Sequence, residues 1–182
     1  MKALKHVIVG VTGSIAAYRS AEIVRNFVEK GFKVSVVMTK EAEYFITPLT
    51  FFSLSGQRVY TKFFTKGRSS EDMPHIQLAQ TAQAMLIAQA TANIIGKIAC
   101  GLADDLLSCI VLATQAPLVI APAMNVHMYN NAAVQENLEK LKSRNVKIIA
   151  PAKGRLACGV IGEGHIANSK IIVEEVIKSM RE

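Results

Sequence analysis

Three cysteines in 182 residues, Cys100, Cys109 and Cys158, cannot all pair within the chain, and none belongs to a CxxC. A disulfide framework is therefore excluded, and a reducing cytoplasm is the expected setting. No stretch is long and apolar enough to span a bilayer, and the N-terminus lacks a signal-peptide profile, so no membrane partner is expected. The formal charge is +7, yet the basic residues form no run and do not interleave with aromatics. That distribution describes a solvated surface and points away from nucleic acid. Internal repeats and linker-like segments are also missing, so residues 1–182 are expected to form one domain.

What is there is alternation. His6 to Val11 is a short apolar run, Ile15 to Lys30 has a helical pattern ended by Gly31, and Lys33 to Met38 alternates like a strand. Two short helices around Glu41 to Phe45 and Pro48 to Leu54 precede an edge strand at Val59 to Phe63. Lys66 to Asp72 is a polar loop, and Pro74 suits the first turn of a short helix containing His75 and Leu78. Strands at Ala84 to Ala88, Leu118 to Ala121 and Val146 to Ile149 are separated by helices. Those helices cover Asn93 to Ala113, with a break at Gly101, and Asn130 to Arg144. Ile171 to Met180 closes the chain as an amphipathic helix. Strands spaced by helices predict an α/β fold with a doubly wound, parallel, Rossmann-like sheet.

Three strand ends carry the chemistry. Gly10-Val11-Thr12-Gly13-Ser14-Ile15-Ala16 joins the first strand to the first helix, and its small residues would let backbone N–H groups and the Ser14 hydroxyl approach a phosphate. The spacing is GxxGxxA, not GxGxxG, and no acidic residue stands at the tip of the second strand beside Thr39. Both points favour a mononucleotide phosphate over a dinucleotide. A turn that merely lets a strand meet a helix is the equally good alternative. At the end of the strand from Ala84, Ala88-Gln89-Ala90-Thr91-Ala92-Asn93 is again small and hydroxylic, open enough for a flat ring, although Thr91 or Asn93 also suits a helix cap.

The third end is Pro122-Ala123-Met124-Asn125, just past an apolar strand. An Asn there offers amide donors and an acceptor without charge, suited to holding a carboxylate that must later leave as CO2. On spacing alone, capping of the next helix is the commoner role. The neighbouring carboxylates Asp104 and Asp105 fall within the helical pattern and face different ways, with no His or Cys at ligand spacing, so no metal site is expected.

Gly13-Ser14-Ile15-Ala16-Ala17-Tyr18, His75-Ile76-Gln77-Leu78, Ala90-Thr91-Ala92-Asn93, Pro122-Ala123-Met124-Asn125-Val126-His127-Met128-Tyr129 and Leu156-Ala157-Cys158-Gly159-Val160-Ile161-Gly162-Glu163-Gly164 occur in that order. Together, over nearly the whole chain, they resemble the flavin-containing cysteine decarboxylases, and within them the branch that acts on 4′-phosphopantothenoylcysteine in coenzyme A biosynthesis. In many bacteria that enzyme is the N-terminal half of a bifunctional protein whose other half is a phosphopantothenate–cysteine ligase. The resemblance implies FMN, with its phosphate near Gly13, Ser14 and Thr39 and its ribityl chain and ring near Thr91, Ala92, Asn93 and Ala121. It also implies a homotrimer, often built into a dodecamer, with the flavin at a subunit boundary.

The resemblance gives three residues catalytic roles. Loss of CO2 from a cysteine carboxylate is slow because the electron pair left on carbon has nowhere to spread. Oxidation of the thiol to a thioaldehyde supplies sulfur as the sink, in the manner of cofactor chemistry. By resemblance His75 serves that oxidation, Asn125 binds the carboxylate, and Cys158 protonates the resulting enethiol so that phosphopantetheine forms. Cys158 stands in a Gly-flanked loop expected to act as a lid. Cys100 and Cys109 are expected in the core, and His6, His127 and His165 are expected to be structural. Gln89 replaces a common Pro, Gln83 a common acidic residue, and His165 a common Arg. The competing readings are oxidative decarboxylation of a peptide's C-terminal cysteine, prenyl transfer to flavin, and a non-enzymatic flavin-binding regulatory subunit.

Overall fold

The computed structural model describes residues 4–63, 73–155 and 161–180. Six strands form one parallel sheet: β1 (His6–Val11), β2 (Lys33–Met38), β3 (Val59–Tyr60), β4 (Ala84–Ala90), β5 (Leu118–Pro122) and β6 (Lys147–Ile148). Their spatial order is β3-β2-β1-β4-β5-β6. The order reverses between β1 and β4, the point at which a doubly wound sheet opens a crevice at its carboxyl edge. β1, β4 and most of β5 are buried and nearly all apolar, as strands covered on both faces must be.

Side-chain alternation sorts the core into two layers. Val7, Val9, Leu86, Val119 and Ala121 face α1 (Tyr18–Glu29), α2 (Pro48–Ser55) and α8 (Ser169–Ser179), meeting Ile23, Phe27, Phe51, Ile172 and Val176. Ile8, Val37, Met85, Ile87 and Ile120 face α3 (Pro74–Thr81), α4 (Ala92–Cys100), α5 (Leu106–Ala113) and α7 (Ala132–Lys142). Gly10 belongs to the second layer, where a Cβ would stand 2.6 Å from Leu107 Cδ1. Its bare backbone is what lets α5 lie so close to the sheet. Among the described residues no helix is long and apolar enough to cross a membrane.

Several boundaries differ from the sequence expectation. The helix expected from Asn93 to Ala113 breaks at Gly101 as expected, but resumes only at Leu106, so that residues 101–105 are not helical. Gly101, at φ +71, ends α4, and Asp105 caps α5 in a capping box with Ser108. Asp104 and Asp105 therefore lie at a helix entrance and not inside a helix. Cys100, expected in the core, is exposed because it occupies the last turn of α4, and Cys109 is only partly buried. The helix expected from Asn130 is preceded by the four-residue α6 (Val126–Tyr129), and the strand expected from Val146 to Ile149 is shortened to β6. An antiparallel ribbon, β7 (Ala152–Arg155) with β8 (Ile161–His165), stands where only a Gly-rich loop was expected. Cys158 lies outside the described residues.

Candidate functional site

A cleft of about 230 Å³ opens at the switch point. Thr12 and Gly13 after β1, Thr39 and Glu41 after β2, and Thr91 to Ile94 after β4 line it, with Asp105 and Met128 closing its sides. Five expected cofactor residues, Gly13, Thr39, Thr91, Ala92 and Asn93, thus share one cleft although they come from three separate strand ends. Ser14 and Ala121 are not among its lining. Ser14 starts the short 3₁₀ turn Ile15–Ala17, where its Oγ accepts from the Ala16 N–H at 3.3 Å, while Ala121 is buried in β5.

Each lining group has a local cause. Gly13 has no Cβ, and one placed there would fall 2.4 Å from Glu41 Cβ, so only glycine lets the first turn approach the second. Thr39 Oγ1 is a buried hydroxyl with no hydrogen-bond partner among the described residues. A polar atom so placed costs free energy unless something polar meets it. Thr91 N-caps α4, its Oγ1 accepting from the Ile94 N–H at 3.4 Å. The amino ends of the 3₁₀ turn and of α4 both lie at the carboxyl edge, where unpaired N–H groups favour an anion.

Asp105 and Lys97 supply the charge beside the cleft. Burial alone would push the Asp105 carboxyl upward. Hydrogen bonds from Lys97 Nζ and from Ser108, with the lysine's positive charge, outweigh it and hold the group below the ordinary carboxylate range. Burial would lower the Lys97 ammonium, and its bonds to Asp104 and Asp105 raise it instead. Three donors meet the Asp105 carboxyl group, Lys97 Nζ and the N–H and O–H of Ser108. Among the described residues no cluster of His, Cys, Asp or Glu can hold a metal ion.

His75 and Asn125 stand at the same edge but do not line this cleft. His75 is in the first turn of α3, whose amino end faces the carboxyl edge because the helix runs back against the strands. Its ring meets Phe63 edge-on at 5.9 Å, and its Nδ1 is buried without a hydrogen-bond partner among the described residues. Asn125 caps α6, Oδ1 accepting from the His127 N–H at 2.8 Å, which fixes Nδ2 as the donor end of the amide. The next residue, Val126, sits 3.0 Å from where a Cβ on Gly162 of β8 would be, and Met124 N–H donates to Gly164 O at 3.1 Å. The ribbon is thus rooted beside Asn125.

The sequence reading missed Thr12, Glu41, Ile94, Asp105 and Met128. Asp105 had a signal: Asp105-Leu106-Leu107-Ser108 before an apolar run is a capping-box pattern. Glu41 had none, since it lies beyond the tip of β2 and reaches the cleft through its own short 3₁₀ turn, Ala42–Tyr44.

A parallel sheet with this strand order, and a small-residue turn at its switch point, defines a doubly wound α/β protein, the class that places nucleotide-like ligands at this edge. The chain belongs to the flavoprotein family, whose model matches residues 1–181. It is 44% identical over 162 residues, 89% of its length, to the coenzyme A biosynthesis bifunctional protein CoaBC of Vibrio vulnificus, and spans 40% of that relative. The solved structure of a PPC decarboxylase variant complexed with pantothenoylaminoethenethiol superposes with a TM-score of 0.85 at 32% identity, covering 99% of this chain and all of the other. The FMN binding protein AtHal3 gives 0.82 at 34% identity, covering 97% of this chain and 96% of that one.

Proposed function

We propose that the chain binds FMN and decarboxylates 4′-phosphopantothenoylcysteine to 4′-phosphopantetheine in coenzyme A biosynthesis. The observation that carries this reading is the cleft, where Gly13, Thr39, Thr91, Ala92 and Asn93 converge around a buried hydroxyl with no partner among the described residues. Small backbone-rich turns on both sides of a switch point fit a phosphate at one end and a flat ring at the other. The relatives' names support the choice within the family, since one is an FMN binder and another a decarboxylase holding an ethenethiol.

The residues divide the work. Ser14 and the N–H groups of its turn would hold the phosphate, with Thr39 Oγ1 donating to it, and Thr91 to Asn93 would flank the ribityl chain and ring. Ala121 would support the ring from β5. FMN, when bound, supplies a two-electron acceptor that converts the substrate thiol to a thioaldehyde and later returns the electrons. His75 would receive the thiol proton at a ring nitrogen. Asn125 would hold the carboxylate through Nδ2 until CO2 departs, and Cys158 would deliver the proton that converts the enethiol to a reducible form.

A cleft of about 230 Å³ is smaller than the roughly 300–1,000 Å³ of sites that enclose a ligand alone. That shortfall, and His75 standing outside the cleft's lining, support a flavin shared at a boundary between copies, in a homotrimer or a dodecamer assembled from trimers. The chain spans under half the length of its curated relatives, whose bifunctional character supports a phosphopantothenate–cysteine ligase as the partner activity. We take the 182 residues as a single domain working in a reducing cytoplasm.

The test is to supply FMN and phosphopantothenoylcysteine to the purified chain and weigh the product. Phosphopantetheine supports the proposal. A product two hydrogens lighter identifies the oxidative chemistry of the peptide-cysteine enzymes, and flavin uptake without turnover identifies a binding subunit.

A further inference from the structure

The carboxyl end of β4 is irregular in a way the flavin reading does not use. Pairing with β5 slips between Ile87 and Ala90. Gln89, in the slip, has φ +42, a left-handed conformation that strains a non-glycine residue. Its side chain is fully buried. Such strain persists only where surrounding contacts impose it.

Those contacts run in two directions. Thr12 Oγ1 donates to the Gln89 carbonyl at 2.8 Å. Ser20 Oγ, fully buried on α1, donates to Gln89 Oε1. The amide's other end, Nε2, is buried without a partner among the described residues. Regular alternation would turn residue 89 to the face of Ile87, toward α4 and α5. The irregular backbone instead brings its amide to α1. Thr12 lines the cleft on the β1 side, and Thr91 to Asn93 line it on the β4 side. Gln89 is the residue bonded to the first turn and covalently adjacent to the second, and Ser20 fixes it from behind.

We propose that Gln89 is a positioning residue for the flavin. It acts as a buried strut, braced on Ser20, that sets the separation between the Thr12–Gly13 turn and the Thr91–Asn93 turn. The inference rests on the FMN reading. It predicts that a residue outside the cleft's lining, Ser20, controls FMN binding through Gln89.

The experiment uses deflavinated protein titrated with FMN and followed by quenching of flavin fluorescence. Visible circular dichroism at saturation and melting of the flavin-free chain are measured alongside. Gln89→Gly relieves the left-handed strain but removes a fully buried side chain and unpairs the Ser20 hydroxyl, so the flavin-free chain should melt lower yet stay folded at the titration temperature. FMN affinity should nonetheless fall at least tenfold, and the dichroism of bound flavin should change. Ser20→Ala should weaken FMN comparably, and combining the two should add nothing further, since both remove the one Ser20–Gln89 brace while the Thr12 bond, made to the backbone carbonyl, is kept.

Gln89→Gly with affinity within twofold of wild type overturns the inference, as do additive losses in the double variant or an unchanged dichroic spectrum. Should Gln89→Gly not fold, Ser20→Ala is judged by the same affinity and dichroism. Wild-type protein that takes up no FMN removes the flavin reading itself, whereas normal wild-type uptake with an indifferent Gln89→Gly removes only the strut.

Discussion

Lys97 Nζ lies 2.8 Å from Asp105 Oδ2 and 2.7 Å from Asp104 Oδ1, tying the last turn of α4 to the cap of α5 beside the cleft. Helix and cap meet through one ammonium. Asp105 lines the cleft, so this joint also shapes its wall.

Lys97→Met should leave a half-buried carboxylate without its counter-charge. Fully buried pairs lose about 3–5 kcal/mol when broken, and the partial exposure here reduces the expected loss to about 1–3 kcal/mol. Each kcal/mol lowers the melting temperature of a chain this size by about 2–4 °C. The Asp105 carboxyl is held below its ordinary 3.8, so its contribution is present above that pH and vanishes as acid protonates it. The variant should therefore fall short of wild type at neutral pH and converge with it in strong acid. Equal melting at pH 7 would dismiss the joint.

Gly13→Ala should force Glu41 away, because the new Cβ would meet Glu41 Cβ at 2.4 Å. Overpacking of this kind costs about 1–3 kcal/mol, and FMN affinity should fall about tenfold as the first turn retreats. Glu41→Gly removes the obstructing carbon and should restore part of the loss in the double variant. Thermal melting and FMN titration of the four proteins measure both effects.

His6 sits at the opposite edge of the sheet. Nε2 meets Ser35 Oγ at 2.9 Å, and Nδ1 meets Thr81 Oγ1 at 3.1 Å. Burial, then the nearby Lys33 charge, hold its pKa below 6.5, against the opposing hydrogen bond with Thr81. The folded chain resists a proton that the unfolded chain accepts, so stability is full above about pH 6.5 and declines on acidification, by at most about 1.4 kcal/mol per pH unit. His6→Gln should flatten the melting profile between pH 7.5 and 5.5. A variant that tracks wild type through that range assigns the acid sensitivity elsewhere.

His75→Asn should keep its flavin and lose thiol oxidation, so that substrate no longer bleaches the yellow colour. Bleaching at the wild-type rate would remove His75 from that step. Cys158→Ser should release CO2 yet accumulate a product two hydrogens lighter than phosphopantetheine. A normal yield of phosphopantetheine from it would remove Cys158.

The sheet was legible because period and punctuation agree. Val7, Val9 and Val11 in an unbroken apolar run, followed by Gly13-Ser14, leave little choice but a buried strand and a turn. The cleft's small residues were legible for the same reason, since each follows a strand end. Cys100 was misread because an apolar helix pattern does not reveal where its last turn emerges into solvent. The ribbon was missed because Lys153-Gly154 and Gly162-Glu163-Gly164 lack the β-branched alternation that marks strands. Gln89 was visible as an unusual residue, but its left-handed backbone and its bond to Ser20 come from tertiary contacts between β4 and α1.

The outermost strands, β3 and β6, are two residues each. So short a border offers almost no main-chain template on which another sheet could grow. Copies of this chain that gather along the six-stranded sheet must therefore meet side chain to side chain, through helices and turns, which leaves the β7–β8 ribbon, an edge on both sides, as the place among the described residues where backbone could pair with backbone.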